Sequence, residues 1–244
     1  MHKYFSGIDG CPSGWLIVQL DENHAWTIGV MRNIDAIATW VDKSILTLID
    51  IPIGLLDSDG PHRTCDQEAR RALGRPRAAS VFPAPSRLAV YADSYEEGCR
   101  LNYQCLGTRL SKQTWNIVAK IQEVDQLLQK HNCFGYRLRE SHPEVCFWAL
   151  NHKMPMRFNK QKPSGQEERL LLLSHYLPQA KDIVNYAAEK YLRKELAIDD
   201  ILDAIVLAVT AMLGHKKLCT FPSKPPKDKQ NIVMEIIYPA VDKR

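Results

Sequence analysis

No run of apolar residues in the sequence approaches the ~20 residues that a helix needs to cross a bilayer, which argues against a membrane-spanning protein. The first residues also lack the apolar stretch of a secretory signal. The seven cysteines are scattered and form no CxxC pair, so neither a zinc site nor a disulfide framework is indicated. Together these absences lead us to expect a cytoplasmic protein with no membrane partner.

Two nucleotide-binding patterns are missing as well. There is no GxxxxGK(S/T) loop and no GxGxxG after an expected strand, so a nucleotide-fuelled mechanism would lack its usual phosphate cradle. What is present is an ordinary globular composition, with 45% hydrophobic and 25% charged residues in a chain of 244. Length allows one large domain or two small ones, and we expect a single domain over residues 1–244.

Short apolar runs bounded by turn residues predict a set of strands. They span Tyr4–Asp9, Trp15–Leu20, Ala25–Met31, Ser44–Asp50 and Tyr136–Glu140, with a last strand at Ile232–Tyr238. The first three can close an antiparallel meander, and helices connect the later ones. This order predicts an α/β protein with a mixed sheet and helices on both faces.

Helical periodicity predicts the connecting elements. One helix begins at Asn33 or Asp35, and others span Asp66–Leu73, Asp93–Cys105, Gln113–Lys130, Pro143–Asn151, Gln166–Tyr176, Ala180–Glu195 and Asp199–Leu213. Between about residues 55 and 112 the periodicity breaks up. Because this segment is not low in complexity, we interpret it as an insertion after the fourth strand and not as a linker.

Carboxylates stand at the ends of three expected strands: Asp9, Asp50 and Glu140. If the first and fourth strands are neighbours, Asp9 and Asp50 meet at the carboxyl edge, where open α/β sheets place their sites. Glu140 continues the face of Leu138, and a carboxylate on an apolar face is costly to bury unless it is paired or binds a metal. Acids at strand ends are also common turn formers, and Glu140 has Arg137 and Arg139 as alternative partners.

A further pair of acids lies in the motif DDILDA. Asp200 and Asp203 are three residues apart and share a helix face, and Asp203 lies on the apolar side of that helix. Asp200 is also a candidate helix cap. Taken together, the four aspartates and Glu140 predict a site for Mg²⁺ or Mn²⁺, because hard oxygen ligands suit these ions. Two such ions can activate water and stabilise the leaving oxygen of a phosphodiester.

Seven ordered motifs resemble the DUF429 family, whose members are predicted to be RNase H-like nucleases. They are GIDGCPSGW (7–15), IDIPIGL (49–55), RTCDQEAR (63–70), SVFPAP (80–85), KIQEVD (120–125), ESHPEVCF (140–147) and DDILDA (199–204). The resemblance implies an RNase H-like sheet of order 3-2-1-4-5 and metal-dependent phosphodiester hydrolysis. It also implies catalytic roles for Asp9, Asp50 and Asp203, with Asp200 as a helper and Glu140 as a further member. DDILDA is similar to the last motif of resolvase-type nucleases, which implies a homodimer.

Basic residues are candidates for holding a nucleic acid backbone. They cluster in the insertion (Arg63, Arg70, Arg71, Arg75, Arg77, Arg87) and in one loop (Lys153, Arg157, Lys160, Lys162). Among motif residues we expect Arg63, Arg70, Lys120 and His142 to bind substrate, with solvated surface charge as the alternative. His142 lies next to Glu140 and can assist proton transfer; it is also placed to cap the following helix.

The leading hypothesis is a metal-dependent nuclease acting on DNA or RNA. One alternative is a non-catalytic nucleic-acid or protein-binding module that keeps the same fold. Another is an actin-like phosphotransferase, which requires a duplicated core; the sequence shows no second copy of the first motif.

Overall fold

Five strands form one mixed sheet in the structure, a computed structural model that describes residues 3–60, 62–215 and 217–240. They are β1 (Tyr4–Cys11), β2 (Gly14–Asp21), β3 (Trp26–Met31), β4 (Ser44–Ile49) and β5 (Leu138–Glu140). The order is β3-β2-β1-β4-β5, with β1 antiparallel to β2 and parallel to β4. The expected α/β fold and its sheet order are therefore confirmed. Residues 1, 2, 61, 216 and 241–244 of the expected single domain lie outside the described part.

Helices pack on both faces of this sheet. They are α1 (Ala38–Lys43), α2 (Cys65–Leu73), α3 (Arg87–Val90), α4 (Tyr95–Leu106), α5 (Lys112–Asn116), α6 (Val118–Lys130), α7 (Pro143–Leu150), α8 (Pro163–Tyr176), α9 (Ala180–Lys190) and α10 (Ile198–Gly214). In the described part of the chain, no helix is both long enough and apolar enough to cross a membrane.

Three expected elements differ from those observed. The helix expected over Gln113–Lys130 is interrupted at Ile117, which ends α5 and precedes α6. The fifth strand begins at Leu138, because the residues before it form a 3₁₀ turn. The last strand, β7 (Ile236–Pro239), pairs with β6 (Leu218–Phe221) in a separate two-stranded sheet. Every residue of β6 is half-buried, so buried and exposed positions do not alternate along this strand. A strand of this kind has no periodic sequence pattern that would predict it.

Alternate residues of the central strands contribute to two separate cores, because successive strand side chains point to opposite faces. Phe5 and Leu48 pack with α7 to α10 on one face. Ile8 and Ile49 pack with α6 on the other. Residues 9 and 50 continue the α10 face, which decides where their side chains point.

Gly7 allows α10 to pack directly against β1. A Cβ atom at this position would lie 2.1 Å from the carbonyl oxygen of Ala204 and 2.3 Å from the backbone nitrogen of Ala208. Asp203 precedes Ala204, and Asp9 is two residues beyond Gly7 on the same face of β1. The close approach of this helix and strand therefore positions Asp203 next to Asp9.

Candidate metal centre and the adjoining cleft

Asp9, Asp50 and Asp203 meet at the carboxyl edge of the sheet, on the face covered by α10. Ile8 is in register with Ile49 in the parallel pair of β1 and β4, so the two following residues, Asp9 and Asp50, are neighbours. Asp9 is 7% exposed and Asp203 is 1% exposed. All three side chains line one cleft. The structure thus brings together three of the five acids from which the sequence predicted a metal site.

The two carboxylate oxygens of Asp203 have different surroundings. Oδ2 accepts a hydrogen bond from Nζ of Lys160 at 2.5 Å. Oδ1 is buried and has no hydrogen-bond partner among the described residues. An unsatisfied buried acceptor destabilises a fold by roughly 1–3 kcal/mol, and more if it is charged. A cation bound at Oδ1 would remove this penalty.

The pKa values of these acids also show that their negative charges are unfavourable in this position. Burial raises the pKa of Asp9 well above its ordinary value, and the charges of Asp50 and Asp203 raise it further. Burial also raises the pKa of Asp50, while the nearby His142 lowers it. Like charges held together out of water favour either protons or a bound cation.

Lys160 completes this group, although nothing in the sequence distinguishes it from the other three basic residues of its loop. The charge of Asp203 raises the pKa of Lys160, and Asp9 and Asp50 add to the effect. We refer to Asp9, Asp50, Asp203 and Lys160 as the open cluster, because one of its carboxylate oxygens remains without a donor.

Asp200 lies at the edge of this group and caps α10. Its Oδ2 accepts a hydrogen bond from the backbone N–H of Ala197 at 3.1 Å. Burial raises its pKa to about 6. The capping role that the sequence left open is therefore the one observed for this side chain.

Glu140 faces away from the open cluster. It is in register with Ile49 in the pair of β4 and β5, so it shares the α6 face with Ile49 and Leu138. Its carboxylate accepts hydrogen bonds from Arg63 and, at 2.6 Å, from the backbone N–H of Ile53. This corrects the grouping of Glu140 with the aspartates, and its partner is Arg63 instead of Arg137 or Arg139.

Arg63, expected to bind substrate, is 5% exposed and is bonded entirely within the protein. Its guanidinium donates to Asp66, Glu140 and the carbonyl oxygens of Ile53 and Gly54. We refer to Arg63, Asp66 and Glu140 as the closed cluster. Burial raises the pKa of Glu140 to about 8, although the charge of Arg63 lowers it.

The two acids of the closed cluster, together with the neighbouring Cys65, form the tightest group of potential metal ligands. Ligand atoms of Cys65, Asp66 and Glu140 lie within 4.8 Å of one another, a spacing that no other trio in the described part of the chain achieves. The guanidinium of Arg63 already occupies the position of a cation there. Burial also raises the pKa of the Cys65 thiol, which disfavours the thiolate that a metal needs. We therefore interpret Asp66 and Glu140 as the carboxylates of a structural ion pair with Arg63.

Glu144, like Lys160, is a residue of the site that was not among those predicted from the sequence. It lies in the first turn of α7, is 4% exposed and lines the cleft. Its Oε1 accepts a hydrogen bond from Arg169, and its buried Oε2 has no partner among the described residues. Its charge raises the pKa of Asp50. A single acid within the otherwise apolar helix PEVCFWAL was the signal that could have identified it.

The cleft beside the open cluster has a volume of about 350 Å³. One wall is the extended segment 80–85, and motif residues hold this wall in place. Arg70 donates to the carbonyl oxygen of Val81 at 2.6 Å, and Asp66 accepts from the N–H of Ala84 at 3.0 Å. A ring nitrogen of His142 lies 3.3 Å from the carbonyl oxygen of Ser80. Arg70 and His142 thus shape the cleft.

His142 also begins α7. Its Nδ1 accepts a hydrogen bond from the backbone N–H of Glu144 at 3.2 Å, which is the capping role considered from the sequence. Lys120 also lines the cleft. Its ammonium donates to the carbonyl oxygen of Gly14 at 2.6 Å and lies over the ring of Trp15. Phe82 is half-buried at the same cleft.

A family model described as "Protein of unknown function (DUF429)" matches residues 7–227. The chain belongs to this family. The matched range covers nearly the whole chain and contains both clusters and the wall of the cleft. No curated protein and no solved structure matches the chain. For this DUF429 protein, function must therefore be inferred from the site itself.

Proposed function

We propose that this protein is a metal-dependent nuclease, and that the open cluster binds the catalytic Mg²⁺ or Mn²⁺. The observation that carries the proposal is the unpartnered Oδ1 of Asp203, buried beside Asp9 and Asp50 at the cleft. Most buried polar atoms in native proteins are hydrogen-bonded, so one that is not calls for an explanation, and a bound ion is one. Three carboxylates form the hard-oxygen donor set that these ions prefer.

The residues fit such an ion. Asp203 offers Oδ1, and Asp9 offers Oδ2, since its Oδ1 accepts the N–H of Gly10 at 2.8 Å. Asp50 follows β4 at the same edge and is half-buried. When bound, the ion would lower the pKa of water and stabilise charge on phosphate oxygens. Asp200, as the helix cap, would act by holding the first turn of α10.

Other groups of the chain would position the substrate. Lys120 and Lys160 line the cleft and carry the positive charge that attracts a phosphodiester. Phe82 presents an aromatic ring on which a base can stack. A volume of about 350 Å³ is at the low end for ligand pockets. This cleft suits one unpaired nucleotide better than an intact duplex.

Thermal denaturation with and without Mn²⁺ or Mg²⁺ tests the metal site directly. We expect saturating ion to raise the wild-type Tm by about 5–10 °C, since ligand at 100 times Kd contributes about 2.7 kcal/mol. Asp203→Asn should lose this shift and lower metal-dependent cleavage of single-stranded DNA or RNA by more than about 100-fold. Asp199→Asn, which changes an acid in the same helix, is the matched control and should behave as wild type.

A second candidate function is nucleic-acid binding without hydrolysis. It is favoured by the contact between Lys160 and Asp203, because this ion pair already neutralises part of the acidic group. Such a module would bind oligonucleotides with a steep dependence on salt, would show no Tm response to metal and would release no products. The homodimer and the cytoplasmic location stay predictions of the sequence.

A further inference from the structure

We propose that Lys160 is a fixed second cation of the site, so that the open cluster takes one divalent ion where the sequence predicted two. The proposal rests on the proposed function for the metal itself, but it concerns the number of ions and the role of a residue that no motif identified. It assigns the loop before α8 to the catalytic machinery.

The contacts of Lys160 place its ammonium among the acids. Nζ lies 2.5 Å from Oδ2 of Asp203, and the side chain is only 35% exposed although lysine is usually a surface residue. Asp9 and Asp50 are the other acids whose charges act on it. The ammonium therefore lies where a second ion between these carboxylates would bind.

The loop that carries Lys160 is pinned to α8. Both oxygens of Glu168 accept backbone N–H groups of the loop, from Arg157 at 2.9 Å and from Phe158 at 3.1 Å. A Cβ atom at Gly165 would lie 2.0 Å from the carbonyl oxygen of Asn159, so only glycine permits this packing. The residue before Lys160 is thus fixed against the helix, which makes the ammonium a built-in part of the site.

Arg169 ties the same loop to the cleft. It donates to the carbonyl oxygen of Phe158 at 3.2 Å and also to the carboxylate of Glu144. Glu144 is therefore already paired, and the three aspartates hold the unbalanced charge. Their three negative charges are balanced by one ammonium and one divalent ion. A second divalent ion would leave an excess of positive charge among buried groups, which is costly.

The chemistry that follows is electrostatic. An ammonium beside the metal-binding carboxylates can donate hydrogen bonds to a phosphate oxygen, and it stabilises charge that develops there during hydrolysis. Lysine is a compact point charge with three donors, and this suits it to the position of a small cation. No bond to Lys160 is made or broken.

Metal stoichiometry tests the proposal independently of activity. Mn²⁺ binding would be measured by calorimetry and by EPR on the purified full chain, for wild type, Lys160→Ala, Lys160→Arg and the control Lys162→Ala. Lys162 is an exposed residue of the same loop. We expect one ion per chain in wild type, Lys160→Arg and Lys162→Ala. Lys160→Ala should bind two, with spin coupling from ions about 3.5–4 Å apart.

Three results would overturn the proposal. Two ions in the wild-type protein would show that Lys160 does not replace one. A single ion that binds more tightly to Lys160→Ala would show that the lysine only competes for one site. Absence of Mn²⁺ binding in every variant would overturn both this inference and the metal site itself. One ion in wild type and two in Lys160→Ala, without cleavage of any nucleic acid, would leave this inference standing and reject the nuclease.

Discussion

Two groups of buried charge lie at the same cleft, and they differ in how their acids are satisfied. In the closed cluster, two carboxylates surround one guanidinium, and all the guanidinium nitrogens of Arg63 have acceptors within the protein. In the open cluster, three carboxylates share one ammonium, and an oxygen of Asp203 has no donor. The guanidinium of the closed cluster is fully hydrogen-bonded, whereas Oδ1 of Asp203 in the open cluster has no partner among the described residues.

The comparison shows that ligand spacing alone is a poor guide to a metal site. The tightest trio of ligand atoms belongs to Cys65, Asp66 and Glu140, where Arg63 already supplies the cation. The aspartates of the open cluster are further apart, yet they retain the unsatisfied acceptor. The feature that sets the open cluster apart from the closed one is the oxygen of Asp203 that lacks a partner among the described residues, and not the spacing of the ligand atoms.

The largest effect that would sharpen this contrast is expected from Arg63→Ala. Removing the guanidinium leaves Asp66 and Glu140 buried without their cation, which should lower the free energy of unfolding by about 3–5 kcal/mol. Urea denaturation measures the loss. Arg71→Ala, at an exposed position of the following helix α2, should stay within about 0.5 kcal/mol of wild type. If Arg63→Ala lowers the free energy of unfolding no more than Arg71→Ala does, the closed cluster does not stabilise the fold.

In the metal-free protein, Asp9→Asn is expected to raise the free energy of unfolding, which is the opposite of the effect of Arg63→Ala. Burial and neighbouring acids raise the pKa of Asp9 in the folded state above its ordinary 3.8. As pH rises above 3.8, the unfolded chain loses this proton while the folded chain keeps it, so stability falls with rising pH until the folded pKa is passed.

Asparagine cannot ionise, so Asp9→Asn should stabilise the metal-free protein at pH 7 by on the order of 1 kcal/mol, or about 2–4 °C in Tm. The gain should vanish below pH 3.8, where both forms are uncharged. Unfolding curves in EDTA from pH 3.5 to 8 measure the difference. A mutant that is less stable than wild type at pH 7 would contradict the view that the open cluster is a source of strain.

A small loss of stability is expected from Arg70→Ala. Arg70 belongs to neither cluster and supports the wall of the cleft. Its one hydrogen bond to Val81 should contribute about 0.5–1.5 kcal/mol. The Tm should fall by a few degrees while the Mn²⁺-induced shift stays at the wild-type value. Loss of that shift would place Arg70 in the metal centre and break the separation of the two clusters.

Much of the fold could be predicted from the sequence, because the short apolar runs of β1, β2 and β4 indicate strands that are buried on both faces. The position of Asp9, Asp50 and Asp203 followed from strand ends and from an acid on the apolar side of α10. These are local signals. They do not depend on how distant segments pack.

The surroundings of Glu140 could not be predicted in the same way. Its side was assigned correctly with Leu138, but the register that pairs it with Ile49, and not with Asp50, depends on the packing of β5. A shift of one residue in a strand moves a side chain to the other face. Lys160 was hidden for a similar reason, since its contact with Asp203 spans 43 residues and depends on how the loop folds onto α8.

The contact at Gly7 has a consequence for how this site can vary. The distance between the first-strand acid and the helix acid is set by the absence of one methyl group, because the helix backbone lies 2.1 Å from the point where that carbon would be. Any side chain there would push α10 outward and carry Asp203 away from Asp9. A displacement of 1 Å can lower a catalytic rate by about 100-fold. The distance between Asp9 and Asp203 is therefore controlled by a glycine, a residue that has no functional group.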